Sequence, residues 1–548
     1  MPINDNNIFS VCEWLEREEF QQILRVAEYY GRNKGCSTFR LSKDKVKAEV
    51  IRGGDLEAPL SILKNYNQEA SFKLARLIDE VLRENPVRFS IIREGHIVRY
   101  IICSSLRLSP LLKNLKQESG DIRYEKSLGC YSVAPYLVTR VTKLFEEDGL
   151  SIVDEANIIH PKRRPLIEFR GELREYQKEA LEAWKKNDYT GVLALPMGSG
   201  KTIVALAAIT YLRVPALIVV YTKEQLLQWR EMIKKFTTAR DDIIGLYYGS
   251  QKRIAPITIT TYQTAFRKLD VLFDKFSMLI VDEAHHLPAD KFRRIAEGIA
   301  APYRMGLSAT PYRDDGKHVE LFRLMGGLVY TISYEDLVEK GYIAPYEIIP
   351  IFIQLDKISL KQYRELSIKL RRLAGSSNID ELVKMAAEGN KIAKEALAIM
   401  NMLRRIIIDN PAKINKLKEL VSMELARGSK IIVFVPYVDL ADKIAVLLGA
   451  HSLTGRLSEE ERRRILTAFR KGEARVIITT TVGDEGIDVP DADVGILVST
   501  QGSQRQIKQR LGRLLRPRPG KKARLYVLIA KGTLEEGQYR KKFNLLSS

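Results

Sequence analysis

Cysteine is scarce in this 548-residue chain. The four present, Cys12, Cys36, Cys103 and Cys130, are spaced too widely for the C-x-x-C pairs of zinc or iron–sulfur ligation. Four reduced thiols are the simplest expectation. Histidine is equally thin, six residues scattered without an H-E-x-x-H pattern, which argues against a dedicated transition-metal site. No apolar run approaches the roughly 20 residues that cross a bilayer, and the start, Met1 to Ser10, has neither a basic region nor a long apolar segment. A cytosolic protein without a membrane partner is expected. Acidic residues are also in deficit: 68 Asp and Glu face 88 Lys and Arg, giving a net charge of +20 and a pI near 9.5. That balance favours a polyanion as partner over an acidic protein.

The chain is longer than one hydrophobic core usually covers, so several domains are expected. Residues 1–165 read as a small mixed α/β domain. Ser10 and Glu13 fit a capping box, and Trp14, Phe20, Ile23, Leu24 and Ala27 continue at helical spacing to Gly31, so the chain is expected to open with a helix. Val87 to Ile92 and Ile97 to Ile102 flank Glu94-Gly95 as a hairpin, and a helix is expected around Tyr136 to Phe145. Pro161-Lys162-Arg163-Arg164-Pro165 breaks both periodicities and marks a boundary. Residues 166–340 then alternate helices with short apolar strands at Ala216 to Tyr221, Ile257 to Thr261, Met278 to Val281 and Arg304 to Ser308. A second such set begins at Lys430 to Val435 within residues 341–548 and continues through Arg475 to Thr480, Val494 to Val498 and Arg524 to Ile529. Near-continuous apolar strands of this kind belong to parallel sheets covered on both faces, so the fold class is α/β with two doubly wound lobes. Residues 356–405 read as a helical, basic insertion.

The chemistry is concentrated at strand ends. Leu195-Pro196-Met197-Gly198-Ser199-Gly200-Lys201-Thr202 lies between an apolar run and an amphipathic one, the layout of strand, glycine loop and helix. Glycines there let backbone N–H groups close around a phosphate, Lys201 supplies an ammonium and Thr202 a hydroxyl for Mg²⁺. Leu195 stands where the first glycine of such loops is usual. Leu279-Ile280-Val281 leads into Asp282-Glu283-Ala284-His285, two adjacent carboxylates at the end of a buried strand. Asp282 is expected to hold the Mg²⁺ of an ATP complex, and Glu283 to orient and deprotonate the attacking water. Further on, Gln509-Arg510-Leu511-Gly512-Arg513-Leu514-Leu515-Arg516 sets arginines at three-residue intervals on one helix face, from which Arg513 and Arg516 could reach the γ-phosphate.

Taken in order, these segments resemble a superfamily 2 helicase, and within that superfamily the XPB type of DNA repair and transcription helicases. The resemblance implies two RecA-like lobes, ATP and Mg²⁺ as cofactors, and DNA (single-stranded, forked or damaged duplex) as partner. Leu173-Arg174-Glu175-Tyr176-Gln177 is similar to the adenine-reading Q motif, which implies that Gln177 selects ATP. Thr222 to Trp229 and Thr260-Thr261-Tyr262 sit where the DNA-backbone motifs belong, implicating Thr222, Thr260 and Thr261. Leu307-Ser308-Ala309-Thr310-Pro311 resembles the coupling motif, with Ser308 and Thr310, joined in that role by Gln509 and Arg510. Val482-Gly483-Asp484-Glu485-Gly486-Ile487-Asp488 is similar to motif V, which brings Gly486 and Asp488 toward the nucleotide. Arg313-Asp314-Asp315 stands where the family has Arg-Glu-Asp, one methylene shorter at its centre; a duplex-opening wedge and a plain surface loop are both open readings. The insertion corresponds to a DNA-gripping thumb with Lys361, Arg364, Lys369, Arg371 and Arg372 on phosphates.

The resemblance further implies 3′ to 5′ polarity, nucleotide excision repair or promoter opening, and a nuclease partner; a monomeric, nucleoid-associated motor is expected, and the Ile-, Lys- and Glu-rich composition suits an archaeal source. The N-terminal domain reads as a damage-recognition or partner-docking module. The rival expectation is an ATP-gated DNA clamp that hydrolyses ATP only to switch affinity and recruit partners. A restriction-type motor is a further alternative, without a nuclease carboxylate–lysine cluster to support it.

Overall fold

The computed structural model describes residues 7–161, 165–196, 198–313, 315–343, 345–375, 379–480, 492–500 and 523–543. Contacts divide the chain into two compact units. Met1–Leu193, Ile203–Val220 and Trp229–Tyr330 form the first, and Ala194–Thr202, Tyr221–Gln228 and Thr331–Ser548 the second.

The first described element is a strand, Ile8–Val11, and not the expected helix. Its residues alternate outward and inward, with Phe9 and Val11 buried, the period of a half-buried strand. It pairs antiparallel with Cys36–Leu41, which also pairs with Ala27–Asn33. Helix Arg17–Val26 starts later than expected, from a reciprocal cap between Glu16 and Glu19. The thiols are corrected as well. Cys12 is bonded to Cys36 and Cys103 to Cys130, and no free cysteine remains among the described residues. Pairing of strands brings together cysteines that the sequence keeps 24 and 27 residues apart.

The expected hairpin forms as Val87–Glu94 against Ile97–Cys103. It lies in a five-stranded sheet with Ile122–Glu125, Cys130–Val133 and Ile152–Asp154. Helix Val138–Glu147 lies close to the expected position. This region belongs to the same compact unit as the lobe that follows. The buried hydroxyl of Tyr100 donates to Ala300 O (2.8 Å), Tyr303 donates to Ile159 O (3.1 Å), and Arg323 pairs with Asp121 (3.0 Å). Beneath them Arg304 is fully buried, giving its guanidinium to Ile299, Ala301 and Leu324 carbonyls at 2.8–3.0 Å. Burial pushes that guanidinium down to about 10, so it stays charged at neutral pH.

The lobe itself is an eight-stranded sheet. Its order is Gln251–Lys252, Ile244–Tyr248, Ile257–Thr261, Ala216–Val220, Met278–Asp282, Tyr303–Ser308, Thr190–Ala194 and Leu328–Thr331. Ala216–Val220 runs parallel to both Ile257–Thr261 and Met278–Asp282, and Met278–Asp282 parallel to Tyr303–Ser308. Every residue of Ala216–Val220 is buried, as a central parallel strand requires. Open sheets of this kind keep their ligands at the carboxyl ends of the strands.

In the second unit a six-stranded sheet runs Tyr346–Ile353, Ala523–Ala530, Val494–Leu497, Ile431–Val435, Val476–Thr480 and His451–Leu453, with parallel neighbours throughout. The insertion is helical as expected. Lys357–Ala374, Ile379–Ala387 and Lys391–Ile408 pack through a small core around Leu382, Ala393 and Ala396. No described helix is long and apolar enough to cross a membrane.

Candidate active site

The loop after strand Thr190–Ala194 has the backbone that a phosphate cradle needs. Gly198 and Gly200 take φ of +79° and +80°, a conformation strained for any residue with a Cβ, and helix Lys201–Leu212 follows at once. Ser199 is buried, its N–H 3.3 Å from Pro196 O, and Lys201 Nζ lies 3.4 Å from Leu195 O, so the ammonium sits over its own loop. A helix N-terminus beside such a turn attracts an anion.

Strand Met278–Asp282 carries the carboxylates. Asp282 accepts the indole N–H of Trp229 on Oδ2 (2.8 Å) and the Glu283 N–H on Oδ1 (2.9 Å). The chain then bends sharply, with Glu283 in the left-handed region at φ +47°. That bend lets two adjacent carboxylates serve different ends. It is held by the Tyr262 hydroxyl, which donates to the carbonyls of Asp282 (3.1 Å) and Glu283 (3.3 Å). Glu283 is largely buried, and its Oε2 lies 3.5 Å from Nδ1 of the buried His285. The Asp282 carboxylate is an oxygen donor of the kind that suits Mg²⁺, a hard ion bound by few protein ligands. With one hydrogen bond on each oxygen, Asp282 keeps lone pairs for such an ion. Among the described residues no group of three or more His, Cys, Asp and Glu forms an all-protein metal site.

The structure brings Ser308 and Thr310 to this turn. His285 Nδ1 lies 3.0 Å from Ser308 Oγ, which also accepts the Thr310 N–H at 3.2 Å. Arg313 donates to His285 O (2.8 Å) and forks onto Asp315 at 2.9 and 2.6 Å. The guanidinium holds the Asp315 carboxyl far below the usual range. Arg313 thus ties its loop to the carboxylate turn.

Other expected residues land elsewhere. Thr260 is fully buried and gives its hydroxyl to Tyr247 O (2.8 Å), so the expectation of a DNA contact there is corrected: the side chain belongs to the sheet. Thr261 caps helix Tyr262–Arg267 by accepting the Thr264 N–H, and Thr222 accepts the Gln225 N–H before helix Lys223–Phe236. Gln177 is buried, with its amide oxygen capping Arg174 N (2.9 Å). Lys361, Arg364, Lys369, Arg371 and Arg372 are all exposed on helix Lys357–Ala374, and Lys369 is paired with Glu395 at 2.8 Å. Met197, Asp314, Gly486, Asp488, Gln509, Arg510, Arg513 and Arg516 lie outside the described residues. Sequence reading missed Trp229 and Tyr262 as site residues. Their only signal was their place inside the segments thought to touch DNA.

Residues 170–313 match the family of the type III restriction enzyme res subunit, and residues 389–546 the ERCC3/RAD25/XPB C-terminal helicase family. The DNA 3′-5′ translocase XPB2 of Sulfurisphaera tokodaii is 39% identical over 76% of this chain and 94% of its own length. The DNA 3′-5′ helicase XPB of Kineococcus radiotolerans is 32% identical over 66% of this chain and 61% of its own. The general transcription and DNA repair factor IIH helicase/translocase subunit XPB of Antonospora locustae is 30% identical over 68% of this chain, which spans 52% of that relative. A solved structure, the Pyrococcus furiosus Hef helicase domain, matches 67% of this chain and 98% of its own at 22% identity and a TM-score of 0.46. With a relative 39% identical along nearly its full length, the chain belongs to the XPB family of DNA helicases and translocases.

Proposed function

We propose that this protein is a DNA-dependent ATPase that moves 3′ to 5′ along DNA, opening or tracking it in repair or transcription. The observation that carries this reading is the turn at Asp282–Glu283, where one carboxylate is held by fixed donors and the next is buried against His285. Gln177 and the loop from Leu195 to Thr202 bind ATP, Lys201 neutralising phosphate charge. Thr202 and Asp282 hold Mg²⁺, which would neutralise charge on the transferring phosphoryl group. Glu283 orients the attacking water and takes its proton. Arg513 and Arg516 stabilise the γ-phosphoryl group as it transfers to water, and Gly486 and Asp488 serve to bind the nucleotide. Ser308 and Thr310, with Gln509 and Arg510, pass the nucleotide state to the DNA grip.

DNA is met through its backbone by Thr222, Thr261 and the Arg313–Asp315 loop, and by Lys361, Arg364, Arg371 and Arg372 of the insertion. Backbone contacts give grip without reading sequence, as a motor requires. Three structural parts carry this out: residues 1–165, 166–340 and 341–548. The reading extends to a monomeric motor of archaeal type working with a nuclease partner.

ATPase activity with no nucleic acid, single-stranded DNA, duplex, fork and RNA side by side tests this. Stimulation by DNA is expected, and stimulation by RNA alone would overturn the substrate. Triplex displacement then separates motor from clamp, since a clamp yields no directional product at saturating ATP.

A further inference from the structure

Two buried tryptophans spend their N–H groups differently. Trp184 donates to a backbone carbonyl, Arg304 O at 2.7 Å, the ordinary way to satisfy a core indole. Trp229, 2% exposed, donates instead to the carboxylate of Asp282 at 2.8 Å. An indole N–H is a donor only and does not titrate near neutral pH, so it offers the carboxylate a permanent partner in one direction. Together with the Glu283 N–H on Oδ1, it fixes the carboxylate plane and the lone pairs that remain.

The element that carries Trp229 is itself informative. Helix Lys223–Phe236 begins just after Thr222, whose hydroxyl caps Gln225 N, while the N–H groups of Tyr221 and Thr222 both donate to Gln225 Oε1 at 3.0 and 3.1 Å. The start of the helix is therefore tied to the loop after strand Ala216–Val220. Trp229 follows two turns on, ~10 Å along a rigid rod at about 1.5 Å per residue.

Resting on the function proposed above, we infer that Trp229 is a positioning residue: its indole N–H sets the metal-binding geometry of Asp282 and makes Mg²⁺ affinity respond to DNA contact at the start of helix Lys223–Phe236. Outer partners of metal ligands typically change metal affinity by about 10–100-fold when lost. A Trp229→Phe variant keeps most of the apolar volume and removes the N–H.

The test measures binding of a fluorescent ATP analogue against Mg²⁺ concentration, with and without a DNA fork. In the wild type DNA is expected to lower the half-saturating Mg²⁺. In Trp229→Phe that concentration should rise roughly tenfold, and the response to DNA should vanish. An unchanged Mg²⁺ curve, or a DNA response that survives, overturns the inference. Asp282→Asn separates the two proposals. If it binds and hydrolyses Mg·ATP normally, the site reading itself fails; if it is inactive while Trp229→Phe keeps the wild-type curve, only the role of Trp229 fails. Should Trp229→Phe not fold, fluorine NMR of the wild-type chain decides, because it has three tryptophans and Trp14 is 76% exposed. With 5-fluorotryptophan, the Trp229 resonance should move when Mg²⁺ is added at fixed nucleotide, while Trp14 stays. A Trp229 resonance that does not move sinks the inference.

Discussion

His285 Nδ1 stands 3.0 Å from Ser308 Oγ, and this one contact joins the carboxylate turn to the end of the neighbouring strand Tyr303–Ser308. Both residues are almost fully buried. A shift of the carboxylate turn therefore reaches the loop at Thr310 and Arg313 through hydrogen bonds and not through solvent. Ser308→Ala removes a partner of a buried imidazole at a cost of about 1–3 kcal/mol. We expect lowered thermal stability and a loss of DNA stimulation that exceeds the loss of ATP binding, with Ser308→Thr restoring both. DNA-stimulated turnover at the wild-type level in Ser308→Ala would show the contact to be structural only.

Glu283→Gln keeps shape and hydrogen-bonding capacity but removes the base. ATP binding should persist while turnover falls by roughly 10²–10⁴-fold, the range of general-base catalysis. Steady-state phosphate release and nucleotide binding, measured on one preparation, check this; normal turnover would reject the assignment.

Thr260→Val tests the corrected position. Its hydroxyl is bonded to Tyr247 O inside the sheet, so stability should drop by about 1 kcal/mol while DNA affinity stays within error. Weakened DNA binding with unchanged unfolding would restore Thr260 to the DNA-contacting set.

The disulfides close loops of 24 and 27 residues, for which chain entropy gives stabilisation of about 3 kcal/mol each. Cys12→Ser with Cys36→Ser, and separately Cys103→Ser with Cys130→Ser, should each lower the unfolding temperature under non-reducing conditions. Added dithiothreitol should lower the wild type by about the sum of the two losses, and lower each doubly substituted variant by the loss of the bridge it retains. Free-thiol titration of the folded chain should find none.

Asp356 gives a pH signature to the insertion. Hydrogen bonds from Ser359, at the start of helix Lys357–Ala374, and from Asn410 hold its carboxyl down to about 2, against about 3.9 unfolded. The depressed value means the contribution is complete above pH ~4 and disappears as pH falls toward ~2. The difference in unfolding temperature between wild type and Asp356→Ala should therefore be constant near neutrality and shrink across that window. A difference that grows on acidification would contradict the assignment.

Much of the proposed ATP site is legible in the sequence because it is local. A phosphate loop needs glycines beside a lysine on consecutive residues, and a carboxylate pair at a strand end needs only an apolar run before it. Those expectations required no knowledge of distant contacts. The buried strands Ile257–Thr261, Met278–Asp282 and Ile431–Val435 were visible for the same reason, as short apolar runs. Strand Ile8–Val11 was not, since Ser10 and Glu13 imitate a helix cap and only pairing with Cys36–Leu41 settles the period.

What the sequence determined alone is the chemistry available: glycines beside a lysine, adjacent carboxylates at a strand end, and the family to which the order of these segments belongs. What tertiary structure decided is which groups are spent elsewhere and which are recruited. It buried Thr260 under Tyr247, paired the cysteines and brought Trp229 to Asp282, 53 residues apart in the chain. The physical reason is range. A loop's conformation is set by neighbours in sequence, whereas a hydrogen-bond partner or a disulfide mate is chosen by strand order, which no short window contains.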